Sequence, residues 1–195
     1  MNQNIDNLEK TQLIKIPETL QVFWCKRKKI IIIKGHLEQK SLKVPSLLTL
    51  HILKHEIEVV TDISEKLSNH NKKKIKSLLK TTHSLIQQLL IEVLTPVYKK
   101  IKLVGVGYRV LPVEEFNNQL LILRLGYSHP IYFKIPTQIN TSCLKSTQLF
   151  VYGRSYRQVT FTLSQIRLNK IPEPYKGKGI LYDNEKVLLK EGKKI

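Results

Sequence analysis

Apolar residues recur at spacings of three and four from Leu78 to Val93, through Leu79, Leu85, Ile86, Leu89 and Leu90. That period makes one broad apolar stripe and predicts a helix over residues 77–94, stopped by Pro96. The leucines read as core residues and not as a face for a partner. Elsewhere the pattern changes to β-branched, leucine or aromatic runs broken by Gly, Pro and Asn, at 101–110, 120–125, 131–135 and 149–152. Residues 39–76 are polar and irregular, lysine-rich toward Asn71-Lys72-Lys73-Lys74, and read as strands and loops that link a first sheet to its helix.

The pattern also repeats. Lys15-Ile16-Pro17 leads past Cys25 to a β-rich run at 30–33 that stops at Gly35. Lys134-Ile135-Pro136 leads past Cys143 to Leu149-Phe150-Val151-Tyr152 and stops at Gly153. A more helical segment follows each, near 72–94 and near 155–169. Two copies point to an old duplication and not to a solenoid. The expected class is α+β, with two tandem duplicated domains, each a small, mostly antiparallel sheet packed on one helix. The expected limits are residues 11–97, residues 98–180 and a basic C-terminal tail over 181–195.

Charge adds a partner to this outline. Among 195 residues, 33 Lys and Arg stand against 15 Asp and Glu, a formal net charge of +18. Such a surplus repels itself and makes most sense opposite a polyanion. Nucleic acid comes first, and an anionic membrane surface second. No apolar run approaches the ~20 residues a spanning helix needs, so no membrane insertion is expected. Aspartate occurs only as Asp6, Asp62 and Asp183, too dispersed for paired-carboxylate or metal-dependent hydrolysis. Cys25 and Cys143 fit neither a disulfide scaffold nor a zinc site, and are expected to be reduced and buried.

Alanine is absent altogether. Fold physics gives no reason to avoid the best helix former. The omission reads as codon bias against GC, as in an AT-rich organellar genome. The first residues, Met1 to Asp6, carry an acid and no arginine, so no transit or signal peptide is expected there. The expected location is the mitochondrial matrix, with bacterial cytoplasm or a plastid as the alternatives.

Candidate chemistry is thin outside the basic clusters. Gly105-Val106-Gly107-Tyr108-Arg109 opens like a dinucleotide fingerprint, but Val110 stands at the third glycine and Pro112 forbids the helix that should follow. His51 and His55 would share one helical face, yet only Glu56 or Glu58 stands near as a third ligand and no His-Glu-x-x-His order occurs, so they read as surface or packing residues. His129, before Pro130, either caps a turn or touches RNA. No metal site, cofactor or catalytic residue is expected.

The basic clusters are Lys26-Arg27-Lys28-Lys29, Lys72 to Lys76, Lys99-Lys100 with Lys102, Arg154 with Arg157, Arg167 with Lys170, Lys176 with Lys178, and Lys190 to Lys194. One such run is ordinarily a solvated face. Several, densest after residue 150 and interleaved with Tyr152, Tyr156, Tyr175 and Tyr182, resemble a nucleic-acid footprint. The key segment is Ile171-Pro172-Glu173-Pro174-Tyr175-Lys176-Gly177-Lys178-Gly179-Ile180. Taken alone, Lys-Gly-Lys-Gly is a basic surface turn. Within this footprint it becomes a candidate clamp. Its prolines stiffen the approach, Lys176 and Lys178 meet phosphates, Gly177 and Gly179 let backbone come close, and Tyr175 packs on sugar or base. Arg154, Arg157, Arg167 and Lys170 extend the same expected surface.

Three blocks carry a family resemblance. Lys102 to Arg109, Leu125-Gly126-Tyr127-Ser128-His129-Pro130, and the Ile171 to Ile180 segment followed by Lys190-Glu191-Gly192-Lys193-Lys194 resemble the bacterial-type large-subunit ribosomal protein six family. The likeness is specific over 97–195 and weak over 11–96. Where the family carries Asp-Lys-Gln and Val-Gly-Gln before its second helix, this chain has Ser155-Tyr156-Arg157 and Val159-Thr160-Phe161. The resemblance implies two duplicated domains and no catalysis. It also implies binding of large-subunit rRNA near the sarcin–ricin loop and the docking region of translational GTPases, chiefly through the C-terminal domain. Neighbouring large-subunit proteins would be the other partners, with translational GTPases as transient ones. Two rivals remain, a peripheral lipid-binding protein and an RNA-processing enzyme. The first lacks a basic amphipathic helix and the second lacks clustered acids.

Overall fold

The structure, a computed structural model, describes residues 12–61, 69–113 and 119–192. It divides between Thr95 and Pro96 into two compact units. The first unit holds β1 (Gln12–Lys15), β2 (Gln21–Cys25), β3 (Ile30–Lys34), β4 (Gln39–Lys43), β5 (Leu48–Ile52), β6 (Glu56–Thr61) and α1 (Asn69–Leu94). Its strands form two antiparallel sheets, ordered β1-β6-β5 and β2-β3-β4. Alternation sends Ile31, Ile33, Leu48, Leu50, Ile57 and Val59 inward, where Leu79, Ile86, Leu90 and Val93 of α1 cover them.

The second unit repeats this plan. It comprises β7 (Val97–Val104), β8 (Arg109–Val113), β9 (Leu120–Arg124), β10 (Ile131–Lys134), β11 (Ile139–Lys145), β12 (Gln148–Gly153), α2 (Tyr156–Leu168) and β13 (Gly179–Tyr182). The orders β7-β12-β11 and β8-β9-β10 match those of the first unit, and β13 adds an edge strand on β7. Val159, Leu163 and Ile166 of α2 close a core with Ile101, Leu103, Leu121, Leu123, Leu149 and Val151.

The class is therefore α+β with a duplicated plan, but each unit carries two small sheets where the pattern led to one. Within the two units the chain changes sheet four times, after β1, β4, β7 and β10. Pro17, Pro45, Gly105 or Pro136 stands at each crossing, and its carbonyl accepts a hydrogen bond from the N–H three residues on. Those distances are 3.1 Å to Leu20, 3.0 Å to Leu48, 3.3 Å to Tyr108 and 3.0 Å to Ile139. Proline cannot donate to a ladder, and Gly105 takes φ +155°, so each strand ends there, and the next begins at or just after the buried residue that donates, Leu20, Leu48, Tyr108 or Ile139. The register of the repeat differs from that read in the sequence. Lys43-Val44-Pro45 is the counterpart of Lys134-Ile135-Pro136, and Lys15-Ile16-Pro17 that of the Gly105 turn. One turn chemistry used at two crossings per unit produced the false match.

Other departures are local. The lysines at 72–76 lie in the opening turns of α1 and not in a loop, because Ile75 extends the buried stripe toward the N-terminus and lysine is a good helix former. The run at 101–110 is two strands parted by the Gly105 turn. His51 sits in β5 and His55 in the turn after it, so they share no helix. Cys25 is exposed on β2, contrary to expectation, while Cys143 is half-buried. Burial pushes the Cys143 thiol up. Under iodoacetamide at mildly alkaline pH, peptide mass spectrometry should find Cys25 alkylated several-fold faster than Cys143. Equal rates would contradict the burial of Cys143. Asp6, Asp62, Lys193 and Lys194 lie outside the described residues.

Gly35 packs closely against the end of α1. A Cβ there would stand 2.3 Å from Cγ1 of Val93 and 2.9 Å from its carbonyl oxygen. Gly35→Ala should cost about 1–3 kcal/mol of stability by overpacking. Urea unfolding followed at Trp24, the single tryptophan, which packs on this core, should show the midpoint fall.

Candidate nucleic-acid interface

The site grows from the end of α2. Asn169 donates its side-chain amide to the carbonyls of Gln165 (3.1 Å) and Ile166 (3.0 Å), satisfying acceptors the helix leaves open. Pro172 follows and biases Ile171 away from helix, so the chain leaves as an extended segment. It then closes into a ring. The Ile180 N–H donates to Lys170 O at 3.0 Å, the Glu173 N–H to Lys178 O at 2.9 Å, and the Gly177 N–H to Glu173 O at 2.9 Å. The tail returns to brace the tip, with the Lys190 N–H donating to Pro174 O at 2.9 Å. Pro174, Tyr175 and Lys176 form that tip. Tyr175 and Lys176 are exposed and Lys178 is half-buried.

Both glycines serve the ring itself. Gly177 adopts φ +67°, a left-handed conformation that closes the turn. Gly179 is buried at φ +152°, and a Cβ on it would lie 2.6 Å from Cα and 2.8 Å from N of Pro172. In the sequence these glycines read as places where the chain's backbone can press against a partner. At Gly179 the backbone that comes near is the chain's own.

The expected basic surface separates into two groups. Arg154 and Arg157 are exposed at the start of α2, whose first turn holds no acid and whose Ser155 makes no side-chain cap. Arg167, Lys170 and the ring sit at its other end, about 15–20 Å away at 1.5 Å per helical residue. Arg167 is not a free arm. Its guanidinium pairs with Glu185 and lies 4.8 Å from the Tyr182 ring, binding the chain after β13 to the helix. Lys170 places Nζ 4.4 Å from the Tyr127 ring. Tyr127 stacks on His129 at 6.1 Å and donates its hydroxyl to Asn169 O at 3.0 Å. Thus Tyr127 and His129, which the sequence located in a turn between strands, stand beside the root of the ring. Nothing in the local pattern pairs residues 127 and 169; only the tertiary fold does.

Asp183 pairs with Lys102 at 2.6 Å and with Lys100 at 3.5 Å. The Lys102 hydrogen bond, then the Lys100 charge, hold its carboxyl below the usual range. Among the described residues no three His, Cys, Asp or Glu gather as metal ligands would, and no helix is long and apolar enough to cross a membrane. The chemistry on offer is cationic and aromatic, suited to phosphate, sugar and base.

The chain is 38% identical to large ribosomal subunit protein uL6 of Mycoplasma genitalium, over 84% of each chain. It is 38% identical to the Spiroplasma citri uL6, over 92% of this chain and 93% of that one. The Spiroplasma kunkelii uL6 is 40% identical over 82% of each. No family model matches the chain.

Proposed function

The chain belongs to the family of large ribosomal subunit protein uL6, and from that premise we propose that it is a structural, non-enzymatic constituent of a large ribosomal subunit that binds large-subunit rRNA and neighbouring ribosomal proteins. The observation that carries the rRNA part is the braced ring after α2, which presents Tyr175, Lys176 and Lys178 on a fixed scaffold in a chain of net charge +18. Lys176 and Lys178 neutralise phosphates and Tyr175 packs on sugar or base. Gly177 and Gly179 hold the ring in the shape that permits this. Arg154 and Arg157 form a second contact at the start of α2. Arg167 and Lys170 act mainly by fixing the ring and its neighbours. The finer address, rRNA near the sarcin–ricin loop where translational GTPases dock as transient partners, rests on the family resemblance of the segment.

For location, the absent alanine favours a mitochondrial ribosome. The bacterial sources of the relatives favour bacterial cytoplasm, and a plastid is the third alternative. Sedimentation of the tagged protein through a sucrose gradient, from whole cells and from purified organelles, tests both levels. It should travel with large subunits and be released from them only at high salt. Recovery at the top of the gradient in low salt would refute the assignment.

A further inference from the structure

A second aromatic surface lies on the four-stranded sheet ordered β11-β12-β7-β13. In β7, Ile101 and Leu103 turn into the core that α2 covers, so alternation turns Tyr98, Lys100 and Lys102 to the opposite face. In β12, Leu149 and Val151 turn inward, and Phe150 and Tyr152 outward. The register sets Tyr98 directly opposite Tyr152 and Lys100 directly opposite Phe150. Residues so paired have Cβ atoms about 5 Å apart, which places the two tyrosines side by side.

Tyr98 is 72% exposed and Tyr152 38% exposed, and neither stacks on another ring among the described residues. Cations lie to one side of them, along β7. Lys100 Nζ lies 5.4 Å from the Phe150 ring, and Lys102 follows on the same face. Asp183 balances one of these two lysines, leaving the face positive. A protein-docking face would bring aliphatic side chains around such a pair. Next to the tyrosines this face brings the Lys100 ammonium and the amide of Asn140, the register partner of Tyr152, while its aliphatic residues, Val104 and Leu181, lie toward the far end of β7. Adjacent open aromatic rings with flanking cations match unpaired nucleotides, whose bases stack while their phosphates seek positive charge.

We propose that Tyr98 and Tyr152 form a stacking platform for unpaired RNA bases, with Lys100 and Lys102 holding the adjoining phosphates. The proposal rests on the RNA-binding reading above and adds a face distinct from the ring after α2.

The test uses the full chain and a labelled, unstructured RNA of about ten nucleotides, with a duplex of the same sequence beside it. Tyr98→Ala/Tyr152→Ala should weaken single-strand binding about tenfold or more. The salt slope should stay unchanged, because no charge is lost. Duplex binding should hold, and Tyr98→Phe/Tyr152→Phe should restore the affinity. Tyr98→Ala alone, at the more exposed position, should lose part of the affinity and serves if the double variant melts early. Wild-type single-strand affinity in the alanine variants, or an equal loss for duplex, would overturn the platform. So would a cross-linker at position 98 that captures a protein and no RNA in assembled subunits. The ring is judged separately by Lys176→Ala/Lys178→Ala, which alters the salt slope and leaves both tyrosines in place.

Discussion

Gly179→Ala should destabilise the second unit by about 3 kcal/mol and weaken rRNA binding without removing a charge. The new Cβ meets backbone, not the end of a flexible side chain, at 2.6 Å from Pro172 Cα. Residue 179 also occupies φ +152°, where only glycine is at ease. Relief requires the Pro172 lead-in to move, and with it the Ile180 to Lys170 hydrogen bond that closes the ring. The start of β13, paired to β7 through Gly179 and Val104, would move too. Thermal unfolding and rRNA-fragment binding should therefore fall together, with the salt slope of the remaining binding intact. Gly192→Ala is the control, since nothing lies within 4 Å of a Cβ there. A Gly179→Ala protein that melts and binds as the parent does would show that the ring is soft.

Lys176→Ala/Lys178→Ala should do the reverse. Both side chains stand on a ring held by main-chain hydrogen bonds, which alanine keeps, so the melting temperature should change little. Each lysine that meets a phosphate releases about one counterion, and losing both should flatten the dependence of log K on log salt by nearly two units. Affinity at low salt should fall roughly tenfold per contact, the scale of a hydrogen bond to a charged group. Lys72→Ala/Lys73→Ala removes the same charge from α1 and should leave the slope nearly unchanged. An unaltered slope in the 176/178 variant would remove these lysines from the contact.

The units were readable because their main signals are local. Leucine spacing located α1, and the runs at 120–125 and 149–152 fall on β9 and β12. The division of each unit into two sheets was hidden, because a strand's sequence does not tell which neighbour it pairs with. Pro17, Pro45 and Pro136 did mark the crossings, but they read as ordinary strand ends. At the site, the sequence supplied every residue of the ring and its rigid approach. It could not reveal that Gly179 packs on Pro172 or that Arg167 is held by Glu185 and Tyr182, since those partners meet only after the tail folds back. Tyr98 escaped notice for a related reason. Its significance lies in Tyr152 across the ladder, 54 positions away in the chain.

The central claim is that the tip of the ring touches large-subunit rRNA. A photo-activatable residue placed at Tyr175, irradiated in assembled subunits, tests it most directly. The cross-linked product should be large-subunit rRNA, in one short segment, and should vanish when the ring is disrupted by Gly179→Ala. Cross-links from position 175 to protein alone, or to no component of the subunit, would contradict the account.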